Sequence, residues 1–201
     1  EGVVSIGNHA FDGCNILTGT LTLPSSIETI GSYAFSECRS LRGSLIIPIG
    51  VTSIGNNAFY KCSGMGGVLA IPGTVTYIGD KAFYDCSSIT DVYSFSMPNL
   101  ATLGSEVFTG LSYNAALHYP DADEQDYIEG GWLDYFSVRL PYEEYMPIDS
   151  EEDLILFASY VNDGYKDLKG ILKANITLTD NTMIGTSANN YAGTFDGNGF
   201  A

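Results

Sequence analysis

Residues 54–72 read Ile54-Gly55-Asn56-Asn57-Ala58-Phe59-Tyr60-Lys61-Cys62-Ser63-Gly64-Met65-Gly66-Gly67-Val68-Leu69-Ala70-Ile71-Pro72, and the same pattern stands on both sides of this stretch. Ile-Gly recurs at Ile6-Gly7, Ile30-Gly31 and Ile78-Gly79, and Ala-Phe at Ala10-Phe11, Ala34-Phe35 and Ala82-Phe83. Cys14, Cys38 and Cys86 keep the same 24-residue step with Cys62, and Pro24 and Pro48 keep it with Pro72. Four independent markers on one period exclude coincidence and define a repeat array. A fifth, decayed copy follows after a step of 25, with Leu103-Gly104, Val107-Phe108 and Leu111 in the three marker positions.

Within one repeat, Leu17-Thr-Gly-Thr-Leu21-Thr-Leu23-Pro24 alternates apolar and small residues, as a strand with one buried face does. Its copies are Leu41–Pro48 and Met65–Pro72. Proline has no amide to give to a ladder and ends the strand, and the glycine after each isoleucine suits a chain reversal. Ala-Phe-x-x-Cys then returns with its apolar members inward. One such coil has nothing to bury its apolar face against, so neighbouring coils share a continuous core.

The pattern IGxxAFxxCxxLxGxLxIP over residues 1–111 closely resembles the BspA-like leucine-rich repeats of bacterial surface proteins. The expected fold is therefore a repeat solenoid, with short parallel strands on 24-residue coils. Residues 112–140 resemble the segment that closes such arrays, with Leu117-His-Tyr-Pro120, Tyr127 and Trp132-Leu-Asp-Tyr-Phe136 in it. A last coil needs its exposed core covered, and Trp132, Tyr135 and Phe136 are suitable plugs.

Residues 141–147, PYEEYMP, carry two prolines and no period, and are expected to link two domains. A small α+β or β-helix-like unit is expected over 148–201. Ser150 precedes Glu151, Glu152 and Asp153, an N-cap with acids in the first turn, and Leu154, Phe157, Ala158 and Val161 mark one helical face that Gly164 ends. Gly170–Leu178 alternates as a strand, and Tyr191–Gly199 is rich in turn formers, Asp196 among them. Helix, strand and YAGTFDGNG together resemble the start of a GLUG-type parallel β-helix domain. Glu1-Gly2 enters in the middle of a repeat and Ala201 follows a turn, as in a piece of a longer protein or a β-helix with an exposed edge.

Twenty-four acidic and eight basic residues give a net charge of −16, which repels nucleic acid and anionic lipid heads. The charge is uneven: residues 1–111 hold 8 acids and 4 bases, and 112–201 hold 16 acids and 4 bases. No apolar run reaches the roughly 20 residues that cross a bilayer, so no membrane-spanning segment is expected in this chain.

The four cysteines occupy equivalent positions in stacked coils, where their Cβ vectors run parallel, so they read as a ladder of free thiols packing as small hydrophobes. No cofactor is implied, and a tetrahedral metal site is excluded by the three coil spacings between Cys14 and Cys86. His9 aligns with Tyr33, Asn57 and Lys81, a variable and hence surface position, and neither it nor His118 gathers a catalytic constellation. Asp121-Ala-Asp123-Glu124-Gln-Asp126 has Asp126 and Trp132 where a calcium-binding EF-hand needs glycine and glutamate, and reads as a solvated loop. Asn175-Ile-Thr177 matches a glycosylation sequon.

No enzyme is therefore expected. The outward strand positions are the natural binding surface, one row reading Thr20, Ser44, Val68 and Val92 and the next Thr22, Ile46, Ala70 and Ser94. Both rows lack aromatic platforms and arginine anchors. The resemblance implies an extracellular or cell-surface adhesion or recognition module whose partner is an extracellular protein or a glycan on a host or neighbouring cell. A fragment of a β-helix carbohydrate-active enzyme and a non-binding structural stalk are the alternatives.

Overall fold

The computed structural model describes residues 2–95, 100–120, 124–142, 146–148, 154–158, 161, 169–172 and 195–196. The chain forms two compact units, Glu1–Pro141 and Tyr142–Ala201.

The first unit is a parallel-strand solenoid. Each coil begins on a two-residue strand built on the Ile-Gly marker: β1 (Ser5–Ile6), β3 (Thr29–Ile30), β6 (Ser53–Ile54), β8 (Tyr77–Ile78) and β10 (Thr102–Leu103) form one five-stranded sheet in that order. Registers of Ile6 with Ile30, Ile54 and Ile78 carry the 24-residue period directly into the ladder. On the opposite limb, β5 (Leu45–Ile46), β7 (Gly66–Pro72), β9 (Ser88–Phe95), β11 (Ala116–Pro120) and β12 (Val138–Tyr142) form a second sheet. A separate parallel pair joins β2 (Gly19–Thr20) to β4 (Leu41–Arg42).

Between the two limbs runs an arc containing Ala-Phe-x-x-Cys, in which backbone hydrogen bonds alternate in direction. The amides of His9, Phe11 and Gly13 donate to the next coil, at Ser32 (2.9 Å), Ala34 (2.8 Å) and Ser36 (2.8 Å). Those of Ala10, Asp12 and Cys14 turn back within the coil to Gly7, His9 and Phe11. The arc thus curls and stacks with its backbone groups satisfied, and needs no helix.

Its apolar members point inward, as the sequence requires. Phe11, Phe35, Phe59, Phe83 and Phe108 stack in one column, with successive centroids 5.1, 5.3, 5.4 and 5.8 Å apart. Ala34, Ala58 and Ala82 are fully buried beside it, as are Cys38, Cys62 and Cys86. Burying each phenylalanine contributes roughly 1.5–3 kcal/mol, and its aromatic contacts add about 0.5–1.5 kcal/mol.

At the far end of the column, Trp132, Tyr135 and Phe136 surround Phe108 at centroid distances of 5.3, 5.6 and 5.4 Å. The Trp132 indole donates to the Ala101 carbonyl at 3.1 Å, so the polar atom of the largest buried ring is satisfied.

The glycine of Ile-Gly has a different reason from the one expected. None of these glycines has a positive φ; instead, a Cβ at Gly31 would stand 2.6 Å from the Asn8 backbone nitrogen, and one at Gly79 2.5 Å from that of Asn56. Close approach of successive coils, more than a turn, demands glycine there.

Three further expectations are corrected. Glu124–Glu129 is a helix, α1, instead of a loop: Glu124 and Asp126 lie in its first turn, where acids complement the helix dipole. The stretch 141–147 is not wholly a linker, since Pro141 lies in β12, and Met146 and Pro147 open β13 (Met146–Ile148). Pro147 is tolerated because β13 is the edge strand of its sheet. Phe195 and Asp196, expected within a turn, form β15.

In the second unit β13, β14 (Gly170–Leu172) and β15 (Phe195–Asp196) pair in parallel, with Met146 opposite Gly170 and Gly170 opposite Phe195. Leu154, Phe157, Ala158 and Val161 are buried, and residues 154–158 are helical. Residues 121–123 of the acidic stretch, the Asn175 sequon and most of the segment that resembles a GLUG domain lie outside the described residues.

Candidate recognition surface

A solenoid presents its outward side chains in rows, one residue per coil, so the register of the strands decides which residues stand together. The second sheet keeps the 24-residue register only across its first pair, where Leu45 faces Leu69 and Ile46 faces Ala70. Between β7 and β9 the register slips at Gly67/Val68, so that Val68 faces Asp91, Leu69 faces Val92, Ala70 faces Tyr93 and Ile71 faces Ser94. The next pair restores the sum with a step of 25, Val92 facing Leu117.

A one-residue slip turns each side chain to the other face. Val92 therefore joins the inward row of Leu45, Leu69 and Leu117, and Ser94 follows Ile71, both of them buried. Val92 and Ser94, expected outward, are corrected to inward positions. Ser94 accepts the Tyr127 hydroxyl at 2.7 Å within the core, which explains a serine in an apolar row.

Asp91 and Tyr93 take the outward places instead. Asp91 accepts a hydrogen bond from or pairs with His118 Nε2 at 2.9 Å, and the His118 ring stacks on Tyr93 with centroids 4.0 Å apart. His118 holds the Asp91 carboxyl below its ordinary range, an effect that burial opposes.

The remaining expected residues do not follow one uninterrupted 24-residue row. Thr20 lies beside Arg42 in the β2–β4 pair, with its side chain against Gly43. Ser44 and Val68 do meet, the Ser44 hydroxyl accepting the Val68 amide at 3.1 Å, and Ile46 and Ala70 are register partners. Thr20 and Thr22 are exposed, Ser44 and Ile46 half-buried, and Val68 and Ala70 buried. The outward row is thus open to solvent over the first coils and covered further along.

The arc carries a second surface, which sequence reasoning placed at the exterior through His9 and its equivalents but did not put forward for binding. Two of its positions have left-handed backbone in every coil. One is His9, Tyr33, Asn57, Lys81 and Glu106, with φ between 53° and 58°; the other is Gly13, Glu37, Lys61, Asp85 and Gly110, with φ from 56° to 81°. Eight of these ten residues are not glycine, although a left-handed residue with a Cβ costs roughly 1–2 kcal/mol. Side chains at these positions and beside them form contacts along the solenoid. The rings of His9 and Tyr33 stack at 4.7 Å, those of Tyr60 and Tyr84 at 5.4 Å, and Lys81 Nζ lies 3.0 Å from a Glu106 carboxylate oxygen. The ammonium of Lys61 stands 5.0 Å from the Tyr60 ring centroid, and that of Lys81 5.5 Å from Tyr84. Internal variability was the available signal for exposure, but it carries no information about φ.

The cysteines have a polar role as well as an apolar one. Three of the four thiols reach back across one coil: Cys38 Sγ donates to the Phe11 carbonyl at 3.1 Å, Cys62 to Phe35 at 2.9 Å and Cys86 to Phe59 at 3.1 Å. All four cysteines are free. Burial, with a smaller contribution from the neighbouring thiol, pushes Cys38 up to about 11 and Cys62 to about 12, and raises Cys86 well above the ordinary thiol. Cys38, Cys62 and Cys86 are uncharged donors, and unsuited to nucleophilic chemistry.

Stacked 24-residue coils, a phenylalanine and cysteine core and parallel strands on both limbs define a leucine-rich-repeat solenoid. The family model described as BspA type leucine rich repeat region matches residues 1–120 in six copies. This chain belongs to that family. Among solved structures it is similar to a leucine-rich repeat protein of T. pallidum, at 29% identity, with 64% of this chain and 66% of that chain covered and a TM-score of 0.47. It is also similar to a leucine-rich repeat protein from Bacteroides ovatus, at 15% identity over 74% of this chain and 72% of that one, with a TM-score of 0.20. No curated protein matches it significantly. Among the described residues, no helix is long and apolar enough to cross a membrane.

Proposed function

We propose that the chain is a recognition module of a secreted or cell-surface protein, binding an extracellular protein or glycan of a host or neighbouring cell through the outer surface of its solenoid. The observation that carries this reading is the division of labour within each coil. The inward positions repeat phenylalanine, alanine and cysteine, whereas the outward positions of the arc change from coil to coil on an unchanging backbone. Such a scaffold holds a set of different side chains in fixed relative places, as specific binding requires.

Family membership supports the reading, since BspA-type repeats are commonly surface or recognition modules. The test is to probe arrays of extracellular-matrix proteins and of glycans with the labelled, folded chain. Saturable binding that arc or strand-face substitutions weaken supports recognition. Absence of binding on both arrays, together with binding by a longer parent protein that survives those same substitutions, replaces it with a structural stalk. The small residues Thr20, Thr22 and Ser44 on the open part of the strand face favour that second reading for this face alone.

A further inference from the structure

We propose that the arc is the contact surface, and that its ligand is a polypeptide presenting a carboxylate to Lys61. This inference rests on the recognition reading above and assigns that function a face and a chemistry.

Three observations converge on it. First, the arc keeps side chains where its backbone favours glycine. Tyr33, Glu37, Lys61, Lys81 and Asp85 all have left-handed φ between 55° and 58°, and only Gly13 and Gly110 use the unstrained residue. Strain of this kind persists where the side chain has a use that outweighs it.

Second, the composition is that of a protein-binding face. Tyr33, Tyr60 and Tyr84 supply rigid amphipathic area, and Ser32 and Asn57 supply adaptable hydrogen bonding around them. The faces of Tyr60 and Tyr84 are turned to one another, 23° from parallel, and each has an ammonium near its ring. Such rings offer edges and hydroxyls to a partner more than the open flat faces on which sugars stack.

Third, the charges on the arc are unequally matched. Arg39 pairs with Glu37 at 3.1 Å and Lys81 with Glu106 at 3.0 Å, and among the described residues Lys61 joins no ion pair. Lys61 is half-buried, with its ammonium 5.0 Å from the Tyr60 ring centroid. A carboxylate arriving there gains an ion pair that no described group of the chain already makes with Lys61.

The experiment is selection of random linear peptides displayed on phage against the immobilised, folded chain. Single clones are then measured on Lys61→Ser, Tyr60→Ser and the strand-face variant Thr22→Arg, each first confirmed as folded by its thermal transition. The expected result is an enriched pool with aspartate or glutamate beside an apolar or aromatic residue. Its affinity falls roughly tenfold or more on Lys61→Ser and Tyr60→Ser and is unchanged on Thr22→Arg. Peptides without an acid, or indifferent to both arc variants, overturn the inference while leaving recognition standing. Glycan binding that Tyr60→Ser abolishes overturns the polypeptide assignment. Failure to enrich any peptide, with empty protein and glycan arrays, overturns the recognition reading itself.

Discussion

Two ladders climb this solenoid on the same 24-residue step, and they obey opposite rules. The inner one repeats its residues, with Phe35, Phe59 and Phe83 in one column and Cys38, Cys62 and Cys86 in another, all buried. The outer one repeats its backbone and changes its residues: Tyr33, Asn57 and Lys81 share a φ within two degrees, as do Glu37, Lys61 and Asp85. A packed interior admits one shape, so residue identity is fixed there. At the surface the coil-to-coil amide bonds impose a conformation but no side chain. Repetition of residues therefore marks the fold, and repetition of conformation without residues marks the surface free to acquire specificity.

The strongest way to break the comparison is at the centre of the inner ladder. Phe59 is fully buried with a ring on either side, so Phe59→Ala should destabilise by about 3–5 kcal/mol. Phe11 is 41% exposed and stacks on one side only, and Phe11→Ala should have a clearly smaller effect. Urea unfolding of both variants measures the difference. Equal losses would mean that the column is not the shared core that the stacking implies.

A second test uses the thiols. Burial raises the Cys62 thiol from its ordinary 9.0 to about 12, so the folded state keeps a proton that the unfolded chain releases. Stability contributed by this group is full below pH 9 and falls as pH rises towards 12, by about 1.4 kcal/mol per pH unit for one thiol. Cys62→Ala removes that alkaline slope along with the bond to the Phe35 carbonyl, lowering stability at neutral pH and flattening its decline above pH 9. Equilibrium unfolding across the alkaline range checks the sign. A steeper decline in the alanine variant would contradict the assignment of a buried, neutral donor.

The inner ladder was legible in the sequence because burial repeats residues. Ile-Gly, Ala-Phe and Cys gave the coil length, the inward face and the free thiols, and Trp132, Tyr135 and Phe136 could be recognised as rings with a core to cover. The strand face was legible only as far as the register held. A slip at Gly67/Val68 leaves no marker of its own, and its one trace is that the 24-residue counterpart of buried Leu69 is Tyr93 while apolar Val92 stands one place earlier. The arc was least legible, since eight residues without glycine's freedom hide a left-handed backbone.

The smallest expected effect is also the one that separates the ladders most sharply, because its sign is reversed. Lys61→Gly deletes a side chain and should nevertheless leave the protein more stable than Lys61→Ala, by up to about 1.5 kcal/mol. Alanine keeps the left-handed penalty of roughly 1–2 kcal/mol, whereas glycine loses it and gives back about 0.5–1 kcal/mol in unfolded-chain entropy. Both variants lack the ammonium over Tyr60, so that contact cancels in their difference, and thermal unfolding of the pair isolates the backbone. Glycine no more stable than alanine would mean that the coil-to-coil amide bonds do not impose the left-handed turn. A clear gain would mean that lysine is kept at position 61 against the preference of its own backbone, and the reason must then lie outside the coil.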